Sequence, residues 1–286
     1  MKRKKLLLLL ITFVICLQVV PLSVFANEIE GYVNTEWWLN KKQKQENRQQ
    51  VPDPKGGPDF SERVRQPVSN IVLQQRYPNT IVLRGDATSN KVALTFDDGP
   101  DPRFTPLLLD VLKENNVKAT FFLMGARAEV EPDLVKRIVA EGHIVGNHTF
   151  WHPNLVEVGD LATLETEVKK TEQVLEPLVS YKPKLFRAPY GFLYNELVEK
   201  LDELQYTVVG WSVDSLDWRE MPAKEIAYNV ISNTQLGSII LMHDGGEADA
   251  DRTGTIEALR EIIPTLQGQG LEFVTVPELL NIPYQK

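Results

Sequence analysis

Downstream of about Tyr77 the chain alternates short apolar runs, rich in Val, Ile and Phe, with longer segments whose apolar positions recur at helical spacing. The short runs predict strands over residues 92–96, 119–124, 144–146, 185–187, 207–212, 238–242 and 273–276. The longer segments predict helices over 104–115, 131–141, 161–178, 193–203, 223–232 and 255–267. Repeated strand–helix units place successive strands parallel, because each helix returns the chain to the same end of the sheet. An α/β fold follows, with the sheet most economically closed into a barrel and an open doubly wound sheet as the alternative.

Upstream the pattern changes twice. Lys2, Arg3, Lys4 and Lys5 precede an apolar stretch over residues 6–20, and Val24-Phe25-Ala26 resembles a cleavage site, so residues 1–26 read as a secretory signal peptide. The rival reading is a retained membrane anchor, but this stretch is shorter than the roughly 20 apolar residues a spanning helix needs. Cys16 lies inside it, and Ile15 is too large for a lipoprotein cleavage box. Residues 27–77 are polar and punctuated by Pro52, Pro54, Gly56, Gly57 and Pro58, which reads as a spacer or loosely ordered region. Within it Trp37 and Trp38 are suited either to touching a sugar or to packing back onto the main domain, residues 78–286. No internal repeat is evident.

Charge and cysteine content narrow the chemistry. The full chain carries a net charge of −8, and loss of the basic leader makes the remainder more acidic still. Such a surface is unsuited to nucleic acid, which is bound through basic patches. Cys16 is the sole cysteine, so the mature chain has no disulfide framework, no thiolate metal site and no cysteine nucleophile. A cysteine-free exported chain with a basic leader and a polar spacer fits a secreted or cell-wall-associated monomer, or a membrane-anchored one if the leader is retained.

The polar residues at the predicted strand ends then stand out. In parallel barrels the chemistry lies on the loops leaving the C-terminal ends of strands. Asp97 and Asp98 follow the first strand, His148 and His152 a later one, Arg187 another, Asp214 and Asp217 another, and His243 the last apolar run before the final helix. Two imidazoles four residues apart, with one carboxylate, form a two-His-one-Asp site that leaves positions open for water or substrate. The second carboxylate of the Asp97–Asp98 pair is then free to accept a proton, and Arg187 is a candidate bidentate partner for it. His243 is the candidate general acid, with Asp214 or Asp217 as its helper. His143 has no matching partners and reads as structural or surface.

In order, Thr95-Phe96-Asp97-Asp98-Gly99-Pro100, His148-Thr149-Phe150-Trp151-His152-Pro153, Arg187-Ala188-Pro189-Tyr190-Gly191, Asp214-Ser215-Leu216-Asp217-Trp218 and Leu241-Met242-His243 resemble the five motifs of the polysaccharide deacetylases of carbohydrate esterase family 4, the NodB-homology domain. The resemblance covers about residues 78–283. It implies a distorted (β/α) barrel of about seven units and metal-dependent removal of N-acetyl groups from amino sugars. Residue by residue, it implies Asp97 as general base and Asp98, His148 and His152 as metal ligands. Arg187 would orient Asp97, His243 would be the acid, and Asp217 rather than Asp214 would tune it. Trp218 and Leu241 would line the acetyl pocket, with the Tyr190 amide in the oxyanion hole. Ala188 departs from the proline usual there.

One divalent ion is expected, Zn²⁺ first, with Co²⁺, Mn²⁺ or Ni²⁺ able to substitute. Expected partners are N-acetylated glycans, peptidoglycan first and chitin oligomers second, with no nucleic acid and no membrane span in the mature form. Two other readings remain: an esterase of the same fold removing O-acetyl groups from xylan, and a catalytically silent glycan-binding wall protein. A metalloprotease is disfavoured because no H-E-x-x-H helix is present.

Overall fold

The computed structural model describes residues 66–158 and 160–286. The expected leader, Trp37, Trp38 and the spacer as far as residue 65 lie outside the described residues. Among the described residues nine strands form the sheet: β1 (Ile81–Val82), β2 (Lys91–Asp97), β3 (Thr120–Leu123), β4 (Ile144–Asn147), β5 (Leu185–Phe186), β6 (Thr207–Val209), β7 (Val213–Asp214), β8 (Ile239–His243) and β9 (Glu272–Phe273). Their ladders are parallel, in the order β1-β6-β5-β4-β3-β2-β8-β7, with β9 added to β2.

That order decides between an open sheet and a barrel. β6 lies near one end of the path and β7 at the other, yet only residues 210–212 join them. In a flat sheet they would stand about 29 Å apart at the usual strand spacing, whereas so short a link spans at most about 14 Å. The sheet must therefore curl until its ends nearly meet, giving a distorted (β/α) barrel. Gly210 turns this corner, its N–H donating to Val82 O at 2.8 Å, and Ser212 N–H then reaches Ile239 O at 3.0 Å. A Cβ on Gly210 would come within 2.4 Å of Leu83 Cδ2, so the close approach requires glycine.

The period of two along β2 sets what faces inward. Ala93 belongs to the barrel-interior cluster with Phe122, Leu185, Val209 and Ile239, while Leu94 and Phe96 pack outward in the main cluster under the helices. Thr95 and Asp97 therefore share the inward face of Ala93. Every β2 residue after Lys91 is buried, as expected of a parallel strand covered on both sides.

Several element boundaries differ from the sequence reading. The run 207–212 is two strands rather than one, because the chain changes ladder neighbours at Gly210. The last strand ends at Phe273, and Thr275 with Glu278 forms a capping box that starts the helix Val276–Leu280. Short helices Gly125–Val130 and Leu155–Val158 occupy loops. Packed structure also begins before residue 78: in the helix Asn70–Arg76, Leu73 is fully buried against a cluster containing Phe186, Ala188 and Leu197. Among the described residues no helix is long and apolar enough to cross a membrane.

Candidate active site

Strand register brings the predicted residues to one level. Asp97 is paired with His243 across β2 and β8 and with Phe122 across β3, while Leu123 pairs with Asn147 and Asn147 with Phe186. The loops leaving β2, β4, β5, β7 and β8 therefore emerge around one mouth. A cleft of about 410 Å³ opens there, floored by Asp97, Asp98, His148, His152 and His243. Tyr190, Phe192, Trp211, Trp218 and Leu241 form its walls.

The two adjacent aspartates diverge because Asp98 turns the backbone left-handed, with φ 74°. Asp98 Oδ1 lies 3.3 Å from His148 Nε2 and 3.3 Å from His152 Nε2. It is buried and accepts no hydrogen bond among the described residues. His148 Nδ1 faces the Arg187 carbonyl at 2.8 Å and so carries the proton, which leaves the Nε2 lone pair aimed at Asp98. One carboxylate oxygen and two imidazole nitrogens thus converge on a single point, as the donors of a bound cation do. Spacings of 3.3 Å also suit ligands bonded at about 2.0–2.1 Å to one tetrahedral ion. Asp98, His148 and His152 thus fit a divalent metal. Burial above all holds the His152 pKa down at about 4, which keeps it neutral for ligation.

Asp97 stands beside this centre and is held by Arg187 through one oxygen. Its Oδ1 accepts from Arg187 Nη1 at 2.8 Å, and its Oδ2 stands 3.9 Å from His148 Nε2. Arg187 is itself 1 % exposed and stacks over the Phe122 ring at 4.2 Å. The bidentate grip expected from sequence is not what forms. Arg187 gives Asp97 one nitrogen, because its other donors hold the Val209 and Gly210 carbonyls at 3.0 Å each and Nη1 also reaches Thr95 Oγ1 at 2.7 Å.

His243 is paired with Asp217, whose Oδ1 lies 2.7 Å from Nδ1 and whose Oδ2 accepts the His243 backbone N–H at 2.9 Å. Thr255 Oγ1 donates to the same Oδ2 at 2.9 Å, fixing the carboxylate. Asp214 takes no part in this pair; its Oδ1 accepts the Leu216 N–H. Burial opposes charge on His243, but the Asp217 carboxylate outweighs it and raises the pKa to about 9.

Such a constellation invites comparison with known proteins. A model of the polysaccharide deacetylase family matches residues 84–209. A peptidoglycan-N-acetylglucosamine deacetylase of Bacillus cereus is 46% identical over 199 residues, 69% of this chain and 70% of the relative. The chain belongs to the polysaccharide deacetylases of carbohydrate esterase family 4. Its relatives named as deacetylases place it among the hydrolases acting on carbon–nitrogen bonds. A chitooligosaccharide deacetylase of Sinorhizobium fredii is 38% identical over 206 residues, 69% of this chain and 95% of that protein. The crystal structure of a peptidoglycan N-acetylglucosamine deacetylase in complex with 4-naphthalen-1-yl-N-oxidanyl-benzamide aligns with TM-score 0.72 at 41% identity, covering 75% of this chain and 99% of that one.

Within this family member, residues outside the motifs hold the site. Arg127 Nη1 donates to the Asp98 carbonyl at 2.9 Å and its Nη2 to the Gly246 carbonyl, bracing the left-handed Asp98. Asn70 Nδ2 reaches the Gly191 carbonyl at 3.2 Å and so supports the turn Pro189–Gly191, in which Tyr190 has φ 60°. His143 is structural, as expected: it is buried and its Nδ1 accepts the Ala119 N–H at 3.1 Å.

Asp244 was not singled out from sequence. Its Oδ2 accepts from Thr105 Oγ1 at 2.6 Å, and it lies so close behind Asp98 that a Cβ on Gly99 would meet Oδ2 at 2.1 Å. Burial, with Asp98 and Asp97 adding to it, pushes its pKa up from 3.8 to about 7. The folded metal-free chain therefore binds this proton more tightly than the unfolded one, and stability falls as pH rises from about 4 to about 7. A shift of that size corresponds to a loss on the order of 4 kcal/mol. Asp244→Asn should flatten this slope in urea titrations of the metal-free protein, and an unchanged slope would assign the pH dependence to another group.

Proposed function

We propose that this chain removes N-acetyl groups from amino sugars of a cell-wall glycan, peptidoglycan first and chitin oligomers second, as a metal-dependent enzyme acting outside the cell. The observation that carries the reading is the division of labour between neighbours: Asp98 Oδ1 sits 3.3 Å from both Nε2 atoms, while Asp97 is held apart by Arg187. The basic leader and polar spacer support a secreted or wall-associated location.

Asp98, His148 and His152 would hold the ion, Zn²⁺ first by donor type with Co²⁺, Mn²⁺ or Ni²⁺ as substitutes. When bound, such an ion supplies Lewis-acid polarisation of a carbonyl and a water acidic enough to ionise near neutral pH. Asp97 accepts the proton of the attacking water through Oδ2, the oxygen Arg187 does not occupy. The Tyr190 N–H, which has no acceptor among the described residues, is the protein's donor for the developing oxyanion. His243 then protonates the departing nitrogen, giving acetate and a free amine. Trp218 and Leu241 enclose the acetyl methyl in the cleft.

The acid must be protonated to act, and its raised pKa keeps it so up to about pH 9. Activity should therefore fall as pH rises through about 9, and Asp217→Asn should move this alkaline limb down by at least about one unit because the pairing carboxylate is gone. A limb that stays in place in pH–rate profiles would remove His243 from the acid role.

A complete set of candidate ligands, base and acid disfavours the silent glycan-binding reading, whereas the O-acetyl esterase reading shares the whole site. A mass-spectrometric screen over peptidoglycan fragments, chitin oligomers and acetylated xylan separates the three. Loss of N-acetyl groups from the amino sugars is expected. Turnover of xylan alone would give the esterase, and binding without turnover the silent protein.

A further inference from the structure

The loop joining the two histidine ligands is built against backbone preference. Thr149 and His152 both lie in the left-handed region, at φ 64° and 60°, where a β-branched residue is seldom found. Such conformations persist only when the surroundings over-determine them. Here nearly every backbone group of the loop is held. Thr149 N–H donates to Asn147 Oδ1 at 3.0 Å and His152 N–H to Thr149 Oγ1 at 3.1 Å. The carbonyls of Thr149 and Phe150 accept from Gly125 and Ala126 N–H at 2.9 and 3.1 Å. The two remaining N–H groups, of Phe150 and Trp151, both go to Glu167 Oε2, at 2.8 and 2.7 Å.

Glu167 stands out among these partners. It comes from the long helix Leu161–Val179, is 9 % exposed, belongs to none of the five motifs and takes no part in the chemistry above. Helix and loop are also pressed together: a Cβ on Gly125 would meet Phe150 Cδ2 at 2.5 Å and Thr171 Oγ1 at 2.7 Å, and Lys170 Nζ lies 3.5 Å over the Phe150 ring.

We propose that Glu167 is a positioning residue of the metal centre: its buried carboxylate fixes the strained loop and so keeps His152 Nε2 facing Asp98 and His148. This rests on reading those three residues as the metal site. The role is geometric. A glutamine, with a carbonyl oxygen at the same reach, can accept both N–H groups; an aspartate keeps the charge but is one methylene too short.

The test is Zn²⁺ affinity of the full chain, by competition with a chromophoric chelator, for wild type, Glu167→Gln and Glu167→Asp, with the absorption spectrum of bound Co²⁺ as a second readout. Glu167→Asp should weaken Zn²⁺ by about 10–100-fold, the range for groups that orient a ligand, and alter the Co²⁺ spectrum. Glu167→Gln should stay within about fivefold of wild type and keep the spectrum, by the same orienting logic. A merely structural Glu167 would lower the melting temperature and move neither readout; that result, or a Gln variant as weak as the Asp variant, overturns the proposal. Failure of the wild-type chain to bind Zn²⁺ would instead overturn the metal-site reading itself.

Discussion

Replacing Asp97 by asparagine is expected to cut acetate release by about 10²–10⁴-fold, the usual worth of a positioned general base, while the chain still binds its metal. The substitution preserves size, and the amide oxygen still accepts from Arg187 Nη1, now 2.8 Å from Asp97 Oδ1. What it removes is the ability to take a proton. Metal binding should survive because Asp98, not Asp97, stands 3.3 Å from both imidazoles. Steady-state kinetics with parallel metal analysis checks both halves: a variant that keeps its rate excludes Asp97 as base, and one that loses its metal makes Asp97 a ligand.

The largest effect on stability is expected from Arg187→Met. Arg187 is 1 % exposed and Asp97 4 %, so deleting the guanidinium strands a buried carboxylate. Breaking such a pair from one side costs about 3–5 kcal/mol. It also releases the Val209 and Gly210 carbonyls at the corner where the barrel ends approach each other. Urea unfolding measures the loss, and the double variant Asp97→Asn, Arg187→Met should lose less than the sum of the two singles because the stranded charge is gone. Strict additivity would mean the two side chains are not coupled.

These two residues were legible in the sequence because each closes an apolar run, where a parallel barrel presents its chemistry. So were His148, His152 and His243. Spacing alone did not say which aspartate ligates or which carboxylate helps His243; the family resemblance assigned both, and the geometry places Asp98 beside the imidazoles and Asp217 beside His243. What stayed hidden was held by distance. Glu167 bonds to N–H groups 17 and 16 residues away, Arg127 to a carbonyl 29 away and Asn70 to one 121 away, so no local pattern marks them. The helix Asn70–Arg76 escaped because Leu73 is its one buried residue, too little to give a period. Residues 207–212 read as one strand because the apolar run continues through a break that only the curl of the sheet imposes at Gly210.

The most direct measurement of the central claim is acetate release from N-acetylated peptidoglycan fragments by metal-stripped protein as Zn²⁺ is added back. No release above background is expected from the stripped chain, rising to a plateau at one Zn²⁺ per chain. Full release without any divalent ion would contradict the account.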